Sequence, residues 1–458
     1  MGKMKKFLLF ISDLAILFAA LLLTLYLRYG STFSEKLEFH LVPFSLIFIV
    51  WLIVFYIANL YEPATLRNNI YFYSSLLQAI VVSSVISMVL FYLIPLFVIT
   101  PKTNLAIFAA IFTGINFASR YGFNRILEKK FRKSVLIVGL NKQAFELAQF
   151  IKNNPQLGYE LKYVVDLAPN QPDEDEEEFK KFGIIQGLEN LEKQLKNNEE
   201  IDVVVISPEA YQDPETINIF YDSLKQGISF FNLASFYERL TGKVPLGAIN
   251  QIWFLENISE GKKRAYELAK RAGDIVFGFI FGVISLIFYP FIIVAMQIDS
   301  PGPIFYRQTR IGRIGNSFQL IKFRNMVPDA EAKTGAVWAS ENDPRITRVG
   351  NFLRKTRLDE IPQLWTIVKG EMSLVGPRAE RPEFHDKLKR GIPFYEERYL
   401  IKPGLTGWAQ INFHYGSTVE DAAEKLKYDL YYIKNRSLLL DLGIVLKTVR
   451  IALRQAGR

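Results

Sequence analysis

The chain has 458 residues, room for about three domains. Half of them are apolar and 14% aromatic, more than one soluble core needs, so membrane segments are expected. Zero cysteines exclude disulfides, thiolate nucleophiles and cysteine-bound metal, and with three histidines any metal should be a hard, oxygen-ligated one. A formal charge of +9 suits nucleic acid, anionic lipid or phosphorylated substrate; in a membrane chain lipid and phosphate lead, and no nucleic-acid partner is expected.

Apolar runs near residues 7–27, 42–60, 76–98 and 104–119 each approach the roughly 20 residues that cross a bilayer. They predict an α-helical bundle of four transmembrane helices over residues 1–121. The first run follows Lys3, Lys5 and Lys6 as a signal sequence would, but it is long and lacks a small-residue cleavage site, so it should remain as an anchor. Arg120, Arg125, Lys129, Lys130, Arg132 and Lys133 follow the fourth run, which places the N-terminus and everything after residue 120 in the cytoplasm. Asp13, within the first run, should snorkel or find a hydrogen-bond partner.

From Lys133 the texture changes to KSVLIVGLNKQAFELAQFI, YELKYVVD, GIIQG, IDVVVIS and ISFFN, with helical stretches between. This alternation predicts a Rossmann-like α/β module over 133–250. The first turn offers Gly139, Asn141 and Ala144 at the three glycine positions of a dinucleotide fingerprint. A side chain at Asn141 obstructs a pyrophosphate, so although Asp166 ends the second strand, a structural or dimerising module is expected rather than a cofactor site. Residues 173–178, DEDEEE, should form a self-repelling surface loop.

The run 274–298, DIVFGFIFGVISLIFYPFIIVAMQI, is long enough to cross once more. Lys262, Lys263, Arg264, Lys270 and Arg271 precede it and Arg307, Arg310 and Arg313 follow, so a crossing would strand basic residues outside. Pro290 lies in its latter half and should break the helix. A re-entrant helix satisfies both facts and leaves the rest of the chain in the cytoplasm; the alternative is a fifth spanning helix with an external C-terminal domain.

KRAGDIVFGFIFG, SPGPIFYRQTRIG, FQLIKFRNM, RLDEIPQLW, KGEMSLVGPRAERPEF, KPGLTGWAQIN and YDLYYIKNRSLLLDL follow in unbroken order over roughly 264–450. Together they resemble the catalytic module of bacterial polyprenyl-phosphate glycosyl-1-phosphate transferases. The preceding regions, with YERLTGKVP at 237–245, resemble the long form that initiates exopolysaccharide and O-antigen synthesis. The resemblance implies a mostly α-helical catalytic domain over 262–458 on the cytoplasmic face of the bacterial inner membrane. It also implies a UDP-sugar donor, an undecaprenyl phosphate acceptor and release of UMP. The chain departs from the usual pattern at Asn325, where threonine is expected, and at Ala379, where proline is expected in a loop that contacts the nucleotide.

On this resemblance Asp359 is the nucleophile that forms an aspartyl-phosphosugar, and Arg354 and Arg378 contact substrate phosphates. Glu360, next in sequence, would point about 100° away in a helix and suits metal binding or phosphate orientation. Mg²⁺ is the expected cofactor on Asp359 and Glu360, because it takes carboxylates together with substrate phosphates. Pro362 predicts a helix starting near Asp359. Lys322 and Arg324 alternate with apolar Ile321 and Phe323 as on a half-buried strand, lining the site or touching lipid phosphate. Arg307 and Arg310 suit headgroups. Trp408 either anchors at the interface or packs in a folded loop; His385 and His414 read as structural. The tail 428–452 reads as an interfacial helix or one packed on the core. A homodimer through the α/β module is implied by the resemblance alone. Rival readings are a membrane-tethered NAD-dependent nucleotide-sugar enzyme and a non-enzymatic membrane scaffold.

Overall fold

The computed structural model describes residues 2–94, 102–129, 132–167, 182–196, 201–258, 263–328, 330, 335, 343–413, 416 and 418–453. The acidic stretch 173–178 and His414 lie outside them. The chain divides into two compact units, Met1–Phe236 and Tyr237–Arg458.

The first unit opens with helices α1 (Gly2–Tyr29), α2 (Phe33–Ile57), α3 (Ile70–Leu93) and α4 (Lys102–Lys129). Their shared core is aromatic: Trp51 lies against Phe55, Phe108 and Phe112, and its indole nitrogen donates to Ser87 Oγ at 2.9 Å. That bond meets the need of a buried N–H with no water to bind it. Asp13 is buried opposite Arg120 and also accepts from Asn116 Nδ2 at 2.8 Å, so it has a partner rather than a snorkelling path. Three helical stretches are long and apolar enough to cross a membrane by length and composition: Met4–Ile57, Ile70–Leu93 and Arg264–Asp299. The run 104–119 falls inside α4, which buries Asn104, Asn116, Arg120 and Asn124 among its neighbours.

A parallel five-stranded sheet follows, formed by β1 (Lys133–Val138), β2 (Tyr159–Asp166), β3 (Ile184–Gln186), β4 (Val203–Ile206) and β5 (Ser229–Asn232) in the order β3-β2-β1-β4-β5. Its central strands are runs of valine, isoleucine and leucine because helices cover both faces. Helix α5 (Lys142–Asn153) is N-capped by Asn141, whose side chain accepts from the Ala144 amide. Asn141 also donates to Glu209 Oε2 at 3.0 Å. Gly139 has φ +100°, and a Cβ there would meet Ser207 Oγ at 1.9 Å. In this turn the fingerprint positions serve capping and close packing.

In the second unit, α6 (Arg264–Ser285) gives way to a short 3₁₀ turn at Leu286–Phe288 and then α7 (Tyr289–Asp299). The break falls one turn before Pro290, because proline has no N–H to offer the carbonyl four residues back and its ring crowds that carbonyl. A hairpin of β6 (Phe305–Ile311) and β7 (Ser317–Phe323) follows, then α8 (Arg348–Thr356), a 3₁₀ turn at Leu358–Glu360 and α9 (Gln363–Lys369). Both arms of the broken helix pack on this block. Gly278 and Gly282 of α6 let Val368, Ile367 and Trp365 approach within 3.3–3.4 Å of where a Cβ would stand, while Ile292 and Met296 of α7 cluster with Phe323 and Leu353. The opposite face leaves Phe277, Phe281, Ile287, Phe291 and Ile298 exposed.

The unit closes with a parallel pair, β8 (Ser373–Val375) and β9 (Gly404–Thr406), and helices α10 (Pro382–Gly391), α11 (Trp408–Asn412), α12 (Val419–Asn435) and α13 (Leu438–Leu453). The tail is thus two helices. Leu426, Leu430, Tyr432 and Ile433 of α12 enter the core, whereas Leu438, Leu439, Leu442 and Val449 of α13 remain exposed.

Candidate active site

A cleft of about 620 Å³ in the second unit is walled by β6, β7, the turn after α8 and the loop before α10. The two strands present Tyr306, Arg310 and Lys322 to it because alternate residues of the hairpin share a face. Helix α8 is stopped by Arg357 in the left-handed region at φ +62°, which swings the chain so that Leu358–Glu360 makes its own turn. Asp359 therefore stands in a 3₁₀ turn ahead of α9, and Pro362 is the N-cap of that helix. This is four residues later than a helix beginning at Asp359.

Asp359 is 5% exposed. Its Oδ2 accepts from Asn325 Nδ2 at 2.8 Å, and its Oδ1 is buried with no hydrogen-bond partner. Glu360 turns the other way, its Oε1 accepting from Arg378 Nη2 at 2.9 Å and lying 3.5 Å from Arg357 Nη1. Burial, and next the neighbouring Glu360 charge, push the Asp359 carboxyl up. Burial also works to raise Glu360, but Arg378 and then Arg357 outweigh it and hold that carboxyl below its ordinary value. Adjacent carboxyls with opposed environments suit different roles.

Lys322 faces the pair. Burial lowers its ammonium to about 8, with the Asp359 charge pulling the other way. Arg354 lines the cleft with a buried, unpartnered Nη1, a cationic donor available to an anion. Arg324 also borders the cleft, but its guanidinium donates to Ser300 Oγ and to the Ser300 carbonyl. Arg378 sits in a loop whose carbonyls are held in succession: Arg398 Nη2 donates to the Arg378 oxygen at 3.0 Å and Arg310 Nη1 to the Ala379 oxygen at 2.9 Å. Arg310 is thus part of the cleft wall and not a headgroup contact.

Pro290 lies away from this chemistry, at the start of α7. Trp408 opens helix α11 and packs within the unit: its indole donates to the Gly242 carbonyl at 2.9 Å and its ring stacks on Tyr431. His385 pairs with the Tyr399 hydroxyl. Asn325, Arg357 and Arg398 are site residues that sequence reasoning missed. Asn325 carried a signal, its departure from the expected threonine.

The donor set fits Mg²⁺. Asp359 and Glu360 both line the cleft, and no cluster of three such ligands occurs among the described residues. This ion takes one or two carboxylates and leaves its other positions to substrate phosphate and water.

The bacterial sugar transferase family model matches residues 265–455. Over 236 residues the chain is 39% identical to the UDP-N-acetylgalactosamine-undecaprenyl-phosphate N-acetylgalactosaminephosphotransferase of Aeromonas hydrophila, a match covering 50% of this chain and 53% of that protein. It is 31% identical over 334 residues to the UDP-glucose:undecaprenyl-phosphate glucose-1-phosphate transferase of Xanthomonas campestris pv. campestris, covering 69% of this chain and 65% of the relative. Against a putative undecaprenyl-phosphate N-acetylgalactosaminyl 1-phosphate transferase of Bacillus subtilis, identity is 45% over 137 residues, 30% of this chain and 76% of the relative. The chain thus spans between half and two thirds of the first two relatives' lengths.

Proposed function

Because the chain belongs to the bacterial sugar transferase family, we propose that it moves a sugar 1-phosphate from a UDP-sugar to undecaprenyl phosphate through a covalent intermediate on Asp359. The observation that carries this reading is the buried Asp359 carboxyl, one oxygen unpartnered, in a cleft lined by arginine and lysine.

In the first step Asp359 attacks the phosphorus that bears the sugar. The bond from that phosphorus to the bridging oxygen breaks, and UMP leaves with the electron pair. In the second step an oxygen of the lipid phosphate attacks the same phosphorus and the Asp359 carboxylate leaves. Splitting the exchange spares two polyanions from meeting directly. Mg²⁺ bound by Asp359 and Glu360 would neutralise charge on the transferring phosphoryl group. Arg378 and Arg357 keep Glu360 ionised, and Arg354 offers its free donor to a phosphate oxygen. Lys322 completes the phosphate-binding surface of this reading, while Arg324 borders it with its guanidinium held by Ser300.

The membrane arrangement follows the same reading. Helices α6 and α7 together form a re-entrant helix interrupted before Pro290: both arms pack on one block of α8, α9 and β7, which a single crossing would separate. The four N-terminal helices then hold the chain as a multi-pass protein of the inner membrane, with its catalytic unit on the cytoplasmic face against membrane lipids. The parallel sheet is a Rossmann-like module, proposed as a homodimer contact. Crosslinking a form that lacks residues 133–250 tests this, since a surviving dimer would place the contact elsewhere.

The reaction is tested by incubating detergent-purified protein with Mg²⁺, undecaprenyl phosphate and a panel of UDP-sugars. UMP release by the wild type and its loss in Asp359→Asn are expected. Release of UDP would refute the mechanism.

A further inference from the structure

Asn325 is 7% exposed, two residues after β7 ends. Its backbone is clamped. The Asn325 carbonyl accepts from the Thr347 amide at 3.2 Å, Met326 bridges Ile346, and a Cβ on Gly350 would fall 2.0 Å from the Asn325 oxygen. The side-chain amide is therefore held at a fixed height above the 3₁₀ turn, where its Nδ2 meets Asp359 Oδ2 at 2.8 Å.

This bond makes the two carboxylate oxygens unequal. Oδ2 has a lone pair engaged by a donor; Oδ1 is buried and has none. A neutral amide fixes the rotation of the carboxylate without cancelling its charge, as a cation in the same place would. Small errors in the placement of a reacting atom are costly in rate.

Resting on the reading proposed above, we infer that Asn325 is a positioning residue that commits Asp359 to react through Oδ1. In the first step the Oδ1–phosphorus bond forms and UMP departs, while Oδ2 becomes the carbonyl oxygen of the acyl phosphate and keeps the Asn325 N–H. When the lipid phosphate attacks and the Oδ1–phosphorus bond breaks, that N–H stabilises the carboxylate as it leaves. One hydrogen bond serves both half-reactions.

The test uses the full chain in detergent, with Asn325→Leu, which fills the space without a donor, and Asn325→Ala, which adds no bulk. In rapid-quench single turnovers both variants should release UMP about 10–100-fold more slowly. Both should also pass the phosphosugar to lipid more slowly once adducted, with the dissociation constant for the UDP-sugar and the melting temperature unchanged. Wild-type rates in either variant overturn the inference. So does a rate loss matched by an equal loss of UDP-sugar affinity, or by unfolding in both variants, since a merely structural residue would give that. Intact mass of the wild type separates the two layers: an adduct on Asp359 upholds the reading beneath, and its absence removes the inference along with that reading.

Discussion

Asp429 and Arg398 form an ion pair 2.9 Å long beside the Arg378 loop, 2% and 7% exposed. Arg398 also donates to the Tyr395 hydroxyl at 2.7 Å and to the Arg378 carbonyl. Replacing Asp429 by alanine leaves a guanidinium in the interior with a phenol, a carbonyl and a carboxylate, Glu380, at 4.0 Å. Removing one partner of a buried pair costs about 3–5 kcal/mol. The distant Glu380 charge supplies partial relief, so the lower end of that range is expected. For a unit of this size each kcal/mol lowers the melting temperature by about 2–4 °C, giving a fall of roughly 6–12 °C for a loss near 3 kcal/mol. Tryptophan fluorescence during heating of the detergent-purified protein reads this directly. Asp429→Leu combined with Arg398→Met removes both charges and should melt close to the wild type. It should still release UMP slowly, because the Arg378 carbonyl has lost its donor. An Asp429→Ala protein that melts within about 2 °C of the wild type, or a double variant as unstable as the single one, would refute the account.

Four further outcomes follow from the same geometry. Asp359 is raised to about 6, by burial first and Glu360 second, and must lose its proton to hold a cation; Mn²⁺ affinity followed by electron paramagnetic resonance should therefore fall about tenfold per pH unit below that value. Lys322 favours the charged carboxylate, so Lys322→Met should move that fall to higher pH; an unshifted curve would remove Lys322 from the charge balance. Gly282→Leu forces bulk against Trp365, 3.3 Å from the Cβ position, and should destabilise the α6–α9 contact by about 1–3 kcal/mol, read as a lower melting temperature. Gly350→Ala displaces the Asn325 carbonyl and should slow UMP release by the same factor as Asn325→Ala; wild-type turnover would show that the clamp does not set the donor's position.

The apolar helices and the parallel sheet were legible because each follows from a local pattern: long hydrophobic runs in one case, valine-rich strands between helical stretches in the other. Asp13 was legible only as an anomaly, since its partner Arg120 lies 107 residues away. The break before Pro290 was legible from the chemistry of one residue. The cleft was read unevenly. Asp359, Glu360, Arg354 and Arg378 stood in quotable motifs, and the structure brings all four to one cavity. The tie from Arg324 to Ser300 and the carbonyl grip of Arg310 and Arg398 were not legible, because a guanidinium's partner depends on tertiary placement and not on spacing. Asn325 looked like a simple departure from pattern. Its meaning appears only once the chain folds Asp359 beneath it, 34 residues later in sequence.

The walls of the cleft carry ten arginines and lysines against three carboxylates among the described residues. Such a surface behaves as a small ion exchanger: fixed positive charge attracts any phosphate, and on the proposed reaction the departing UMP is one as surely as the arriving UDP-sugar. Attraction that speeds arrival therefore also retains what is left behind. Added salt, which screens over about 10 Å at 0.1 M, should slow capture of the donor and hasten clearance of the nucleotide, so turnover should pass through a maximum at intermediate ionic strength.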